Sequence, residues 1–323
     1  MFLSFIIPLY NCERFITQCL DSIYDAKLDT STFEVIVVDD GSKDTSLELV
    51  ERYAAKRDSL KIVNQQNAGA SVARNRGLEE AKGSYVWFVD ADDKVESKSV
   101  EELVKVLKQN GDVDLLCFNY FKDFQETPRP VNEFKWQNIS GVEYLKRHYD
   151  LYLWNKIYSA SLLKEKRFLN GTKNLEDFLF NLQIVPYLER IDCLDIYGYH
   201  YNQMNMGSTS RSLSQENLQK LSDDTVSIHQ AVAKLADTTN DTEQKAVIMD
   251  MLRWSFAGYM YSLLRFYSAK FMLRQIELYE RLGFYPIKLS SYPKANRFLF
   301  LANKKYLFVS LSYAYHLFKK AAL

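Results

Sequence analysis

Little in this 323-residue sequence points to phosphate wrapped by glycine amides, to a disulfide-stapled fold or to a membrane span. Neither GxGxxG nor GxxxxGK[ST] follows the first apolar run, so the two common loops that cradle phosphates with backbone N–H groups are missing. The four cysteines (Cys12, Cys19, Cys117, Cys193) show no CxxC or metal-ligand spacing, which sets aside a zinc site and a secreted disulfide framework. They read as buried free thiols of a reducing compartment. No apolar run reaches the roughly 18 residues of a span. The longest uncharged stretch near the tail, Tyr306–Phe318, is too short and contains serines. The start, MFLSFIIPLYN, has no basic n-region and runs straight into a strand-like pattern, so it does not read as a signal peptide. Net charge is missing as well: 41 Lys and Arg balance 41 Asp and Glu, which argues against a nucleic-acid partner.

That neutral total conceals an asymmetry. From Arg281 onward there are eight Lys and Arg and no Asp or Glu, so the first 280 residues hold 33 basic groups against 41 acidic, a balance of −8. An acidic body with a basic, aromatic tail implies two surfaces with different partners. The body alternates strand and helix signals: FLSFIIP at 2–8, FEVIVV at 33–38, 60–63 and 84–89 read as strands, with helices over about 12–26, after Asp44, and over about 70–82. This spacing predicts an α/β fold with a mostly parallel, Rossmann-like sheet covered by helices on both faces. Three strands end in polar residues: Asn11, which also reads as a helix N-cap, the Asp39-Asp40 pair, and Asp90-Ala91-Asp92-Asp93. Open α/β sheets bind ligands at the carboxyl ends of their strands. Three carboxylates within four residues repel one another, and a hard divalent cation bridging to phosphate oxygens relieves that. A solvated acidic turn with Asp92 or Asp93 as a cap is the plainer reading of the same residues.

FIIPLYN, VIVVDDGSKDTS, NAGASVARNRGL and YVWFVDADD, in that order, resemble family 2 glycosyltransferases of the GT-A fold. The likeness is dense over about 3–95 and thinner to about 210. It implies that Pro8, Tyr10 and Asn11 flank a nucleotide, that Asp40 meets the uracil edge with Asp39 supporting the loop, and that Arg74 lies near the diphosphate. It assigns Asp90 to the first position of a DxD motif, Asp92 to ribose or metal and Asp93 to the metal, a divalent Mn or Mg. It leaves open which of the three coordinates directly.

Further along, YLWNKIY at 152–158 resembles the family's acceptor-side segment, with Trp154 as a sugar-stacking face and Lys156 as a charge near phosphate. A core tryptophan with a snorkelling lysine is the competing reading. Glu176-Asp177-Phe178 resembles the family's base motif and implies Asp177 as catalytic base with Glu176 beside it, although acids open many helices for dipole reasons alone. YGYHYNQMNMGSTSR at 197–211 resembles the closing segment, with His200 as a packed strand histidine and Ser208, Ser210 and Arg211 as a candidate lid.

These readings divide the chain into a nucleotide-sugar-binding catalytic domain at 1–211 and a C-terminal helical region at 212–323. The tail helix at about 303–320, bracketed by Lys304/Lys305 and Lys319/Lys320, fits an anionic membrane surface; packing on the sheet domain or in a homodimer is the alternative. The expected protein is a metal-dependent, inverting glycosyltransferase. It would move sugar from a nucleotide sugar, a UDP-sugar, to a carbohydrate or lipid-linked acceptor, in the cytoplasm or on the inner face of the cell membrane. A nucleotidyltransferase on a similar sheet and a non-catalytic nucleotide-sugar-binding scaffold stand as the other readings.

Overall fold

Apolar and β-branched runs form the inner strands because both faces of the sheet are covered. The computed structural model describes residues 1–323 except 110, 112, 125–126, 132–134, 148–150, 206–213, 289–292 and 322–323, and it describes no side chains at 293–295, 297 and 316–321. Strands β1 (Leu3–Leu9), β2 (Phe33–Asp39), β3 (Leu60–Asn64) and β4 (Tyr85–Phe88) pair in parallel in the order β3-β2-β1-β4. The register runs from Leu3 opposite Phe33 to Leu9 opposite Asp39, and from Leu3 opposite Tyr85 to Ile6 opposite Phe88. Strand order reverses around β1, and that reversal opens the crevice where such sheets take ligands.

Beyond β4 the sheet becomes mixed. It continues through β9 (Lys156–Ser159), β6 (Leu115–Asp123), β10 (Ile191–Asn202) and the two-residue β5 (Lys94–Val95). β9 runs antiparallel to both its neighbours, β10 runs parallel to β6, and β5 runs antiparallel to β10. Short strands β7 (Arg129–Val131) and β8 (Trp136–Ile139) pair antiparallel with β6 and β10, so the mixed-charge stretch after 122 is in part a hairpin.

Helices α1 (Ile16–Tyr24), α2 (Ser46–Ala54), α3 (Ala70–Glu80) and α4 (Ser97–Gln109) supply the layers. They bury regular apolar faces such as Val100, Leu103, Val104 and Leu107 of α4. Each fully buried side chain of this size stabilises by about 1.5–3 kcal/mol. Helix α3 can lie against β1 because Gly77 has no side chain: a Cβ there would stand 2.4 Å from Cγ2 of the buried Ile6. Helix α5 (Gly141–Arg147) is opened as its capping box predicts, with the Glu143 N–H donating to Ser140 Oγ at 3.2 Å. Helix α6 (Glu176–Leu182) follows.

The chain divides into two compact units, Met1–Asp224 and Thr225–Leu323, with the division inside helix α7 (Gln215–Thr238). The second unit is helical: the rest of α7, then α8 (Thr242–Phe266), α9 (Ala269–Arg281), α10 (Pro293–Ala302) and α11 (Lys305–Ala321). Its core has a polar centre, the fully buried His229, paired to Tyr279 Oη at 3.0 Å and Ser255 Oγ at 2.9 Å and stacked on Phe256. Burial pushes that imidazole down to about 3, so it is neutral at physiological pH. The sequence spacing over about 242–266 groups Val247, Met251, Trp254 and Tyr261 on one face; Val247 and Met251 are buried, whereas Tyr261 is exposed.

Candidate functional site

The loops after β1 and β2 clasp each other at the crevice. The Asn11 N–H donates to Ser42 Oγ at 3.1 Å, and its Oδ1 accepts from the Lys43 N–H at 2.7 Å. Cys12 N–H donates to Ser46 Oγ, Glu13 N–H to Asp44, and Thr45 donates from both N–H and Oγ1 to Glu13. Asn11 therefore sits at φ +50°, and helix α1 begins only at Ile16. The N-cap expected of Asn11 is not formed, because the neighbouring loop claims its side chain. Pro8 lies in β1 opposite Val38, and Tyr10 stands exposed at the rim.

Asp39 and Asp40 are both buried and both support loops. The Asp39 carboxylate accepts from the N–H groups of Gly41 and Ser42. Asp40 accepts from Gln65 Nε2 at 2.8 Å and from the N–H groups of Ala68 at 2.7 Å and Gly69 at 2.8 Å. An ionised carboxylate offers about four acceptor sites. Asp40 thus uses most of its capacity to fix the start of α3, and in this structure its carboxylate is turned to its own chain rather than left open for a base edge.

The acidic turn after β4 is held from β10. Tyr199 Oη accepts the Asp90 N–H at 3.1 Å and donates to Asp93 Oδ2 at 2.8 Å, while the Asn202 N–H donates to Asp93 Oδ1 at 2.7 Å. Asn202 Nδ2 reaches the Asp92 carbonyl, and Asn205 Nδ2 reaches Asp92 Oδ2 at 2.7 Å. Burial, reinforced by Asp92 and Asp90, raises the Asp93 carboxyl well above the usual range. With one hydrogen bond on each oxygen, the Asp93 carboxyl uses about two of its four acceptor sites. Asp93 is a tie between two strands, and no local pattern signalled Tyr199 as its partner.

Arg74 is the centre of charge. It reaches from α3, 5% exposed, and joins Asp90 at 2.9 Å, Glu176 at 3.0 Å and Asp177 at 3.5 Å. Its Nε–H is buried without a protein partner among the described residues. Burial disfavours the guanidinium charge, but the three carboxylates hold it ionised. A quarter of the Asp177 side chain (26%) still meets solvent. Desolvation on its other sides pushes its carboxyl up to about 8, against the pull of Arg74. The residue before this acid pair, Leu175, holds φ +60°, ψ 14°, a conformation unfavourable for a branched side chain. Asp224, buried in α7, steadies the approach: its Oδ2 accepts from the Lys173 N–H and from Asn174 Nδ2, both at 2.9 Å.

Two expectations are corrected. Trp154 is only 4% exposed and stacks near-parallel with Tyr152, Tyr199 and Tyr201, with centroids at 4.9, 4.8 and 5.2 Å, so it is a core ring rather than a sugar platform. Lys156 is wholly buried, and its Nζ donates to the Tyr152 carbonyl and Asn155 Oδ1, so it neither snorkels nor stands at an open phosphate site. His200 packs on Phe121 as expected and bridges Asp123 at 2.9 Å and Glu96 at 3.0 Å. Ser208, Ser210 and Arg211 lie outside the described residues. All four cysteines are free thiols.

Among the described residues no three His, Cys, Asp or Glu side chains form a ready-made metal cluster. Mg²⁺ and Mn²⁺ sites of nucleotide enzymes are often completed by substrate phosphates around one or two carboxylates. The half-buried carboxylate of Asp92 and the buried one of Asp93, beside Asp90, suit that kind of site.

Comparison with known proteins places this arrangement in context. The family model described as glycosyl transferase family 2 matches residues 4–168. A putative glycosyltransferase of Bacillus subtilis (strain 168), EpsH, is 28% identical over 209 residues, covering 61% of this chain and 60% of that protein. The chain thus spans less than two thirds of this relative's length. Among solved structures, Staphylococcus aureus TarS 1-349 in complex with UDP-GlcNAc superposes with a TM-score of 0.76 at 22% identity, covering 98% of this chain and 92% of that one. A mannosyltransferase from Pyrobaculum calidifontis, PcManGT, in complex with GDP-Man and Mn²⁺, gives a TM-score of 0.55 at 16% identity, with 98% and 87% covered. These structural likenesses establish the GT-A fold.

Proposed function

The chain belongs to glycosyl transferase family 2, and on that premise we propose that it moves a sugar from a UDP-sugar to a hydroxyl of a polysaccharide or lipid-linked oligosaccharide. The observation that carries the reading is the Arg74 network, which gathers Asp90, Glu176 and Asp177 at the carboxyl end of β4. Asp177 is the catalytic base. Its carboxyl, raised to about 8, suits removal of a proton from an acceptor hydroxyl near neutral pH. A single base on the face opposite the leaving nucleotide gives one displacement and inversion at the anomeric carbon; two facing carboxylates would instead imply glycoside hydrolysis.

Arg74 keeps Asp177 and Glu176 oriented, and its unpartnered Nε–H is a donor for a developing phosphate charge. The clasped loops around Asn11 and the exposed Tyr10 ring bound the nucleotide. A divalent cation, held by Asp92 and Asp93 with Asp90 beside them, would neutralise the leaving diphosphate. The TarS complex with UDP-GlcNAc supports a uridine donor, and the Mn²⁺ complex of PcManGT supports the cation. The setting is the cytoplasm, at the inner face of the cell membrane, where lipid-linked acceptors are displayed. No helix among the described residues is long and apolar enough to cross a membrane.

The test is a thermal-shift panel of nucleotide sugars with and without Mn²⁺, followed by analysis of the product's anomeric configuration. A ligand that binds only the folded form raises its melting temperature by mass action. A UDP-sugar should give the largest shift, and the product should be inverted. If UDP is not taken up with any cation, or if configuration is retained, the reading fails.

A further inference from the structure

The second unit presents a surface whose chemistry differs from the rest of the chain. Along α11, Phe308 and Ser312 are buried and mark the inward face. The outward face carries Leu307, Leu311 and Tyr315 at helical spacing, flanked by Tyr306 and Tyr313, which are 78% and 61% exposed. Phe300 at the end of α10 is 65% exposed. Lys304 Nζ lies 4.6 Å from the Phe300 ring centroid and Lys305 Nζ lies 5.8 Å from that of Tyr306, so cations and rings share the α10–α11 corner. Large side chains scattered singly on a surface need no explanation, but a continuous stripe of them on one helix does.

Two occupants would cover such a face, a second copy of the chain or a lipid surface, and the charges decide between them. From Arg281 to Leu323 there are eight Lys and Arg and no carboxylate side chain. In a twofold contact built on this face, each cation would approach its own copies with no acid in the segment to pair. The nearest acids on α9, Glu277 and Glu280, are already engaged by Lys305. An anionic bilayer supplies the missing charge. Its interfacial zone also suits tyrosine, whose ring is apolar and whose hydroxyl stays wet.

We propose that the outward face of α10–α11 docks the protein on an anionic membrane, with rings and leucines entering the headgroup region and Lys304 meeting lipid phosphate. The proposal stands apart from the transfer reaction, because it is read without donor or acceptor.

The experiment uses the full chain with sedimented liposomes of phosphatidylcholine alone or with phosphatidylglycerol, at low and high salt. Most of the protein should sediment with the anionic vesicles at low salt, several-fold less at high salt, and little with neutral vesicles. L307D/L311D should lower the bound fraction about tenfold while leaving the thermal shift given by a UDP-sugar unchanged, which shows that the sheet unit remains folded. K304E, whose parent side chain lies over the exposed Phe300 ring, should weaken binding to a lesser degree. The inference is overturned if the wild-type chain stays in the supernatant with anionic vesicles at low salt. It is overturned equally if the protein sediments as a dimer that L307D/L311D makes monomeric while vesicle binding is absent.

Discussion

In the unit Met1–Asp224 a guanidinium, several carboxylates and a tyrosine hydroxyl are drawn inside, around Arg74 and Asp93. In Thr225–Leu323 the buried polar groups among the described residues are uncharged, as at His229, Ser255 and Tyr279, and several of the largest rings lie outside. The contrast has a physical reading. A buried charge is costly unless it is paired and hydrogen-bonded, so a site built of such charges is rigid, and each member depends on the others. An exposed ring constrains nothing around it and gains only when something covers it. Substitutions in the first unit should therefore travel through a network, whereas those on the α11 face should act locally.

The largest effect should come from Asp177→Asn. The amide keeps the shape and the Arg74 side of the site but cannot take a proton. Transfer should fall by about 10²-fold or more while UDP-sugar binding, read by thermal shift, persists. Unchanged turnover would remove Asp177 from the chemistry. The wild-type pH profile sharpens the same point. The reactive form is the carboxylate, so kcat/KM should rise with pH along a limb centred near 8, the value to which burial pushes this group. The stability sign runs the other way. Between the ordinary carboxylate range and about 8 the folded form holds a proton that the unfolded chain releases, so this group's contribution to stability declines as pH rises. Asp177→Asn should remove both dependences.

Arg74→Leu should be next. It strands Asp90, Glu176 and Asp177 together without a cation, and breaking such a pair costs about 3–5 kcal/mol. Urea unfolding should show the loss, and adding a divalent cation should recover part of it if the metal shares this pocket. Asp224→Asn follows at about 1–3 kcal/mol, the cost of weakening a charged acceptor for the Lys173 N–H and Asn174. Asp224 touches the loop before Leu175 rather than the base itself. It is a positioning residue, and kcat should drop more than KM rises.

How much of this was legible depends on the range over which the deciding contact acts. The parallel strands were visible because each is a short apolar run, β-branched or aromatic, bounded by turn residues, and the polar ends at Asn11, Asp39-Asp40 and Asp90–Asp93 located the crevice. β9 was hidden inside an aromatic segment, and a fully buried Lys156 contradicts any pattern that places lysine outside. Asn11 reads as a cap in its local sequence; the contact that overrules it comes from Ser42 and Lys43, more than thirty residues on. The tie that holds Asp93 is hidden for the same reason: its partner Tyr199 is 106 residues away. Helix α10 was unread because its apolar positions run together as FLFLA, which has no clear period. Arg74 and the Glu176-Asp177 pair were each marked as functional residues, but their convergence required the fold.

The smallest expected effect tests the comparison most directly, because it uses one residue type in two settings. Tyr199→Phe deletes a hydroxyl that both accepts from the Asp90 N–H and donates to Asp93, leaving a part-buried N–H and a buried carboxyl short of a partner. The expected cost is about 1–3 kcal/mol. Tyr306→Phe deletes the same atom from a ring that is 78% exposed, where water replaces whatever the hydroxyl contacted, so stability should stay within about 0.5 kcal/mol of the parent. Chemical denaturation of the two variants side by side measures the difference. Equal losses would mean that the α11 face is held as tightly as the site, and the division between an inward-paired unit and an outward-facing one would have to be abandoned.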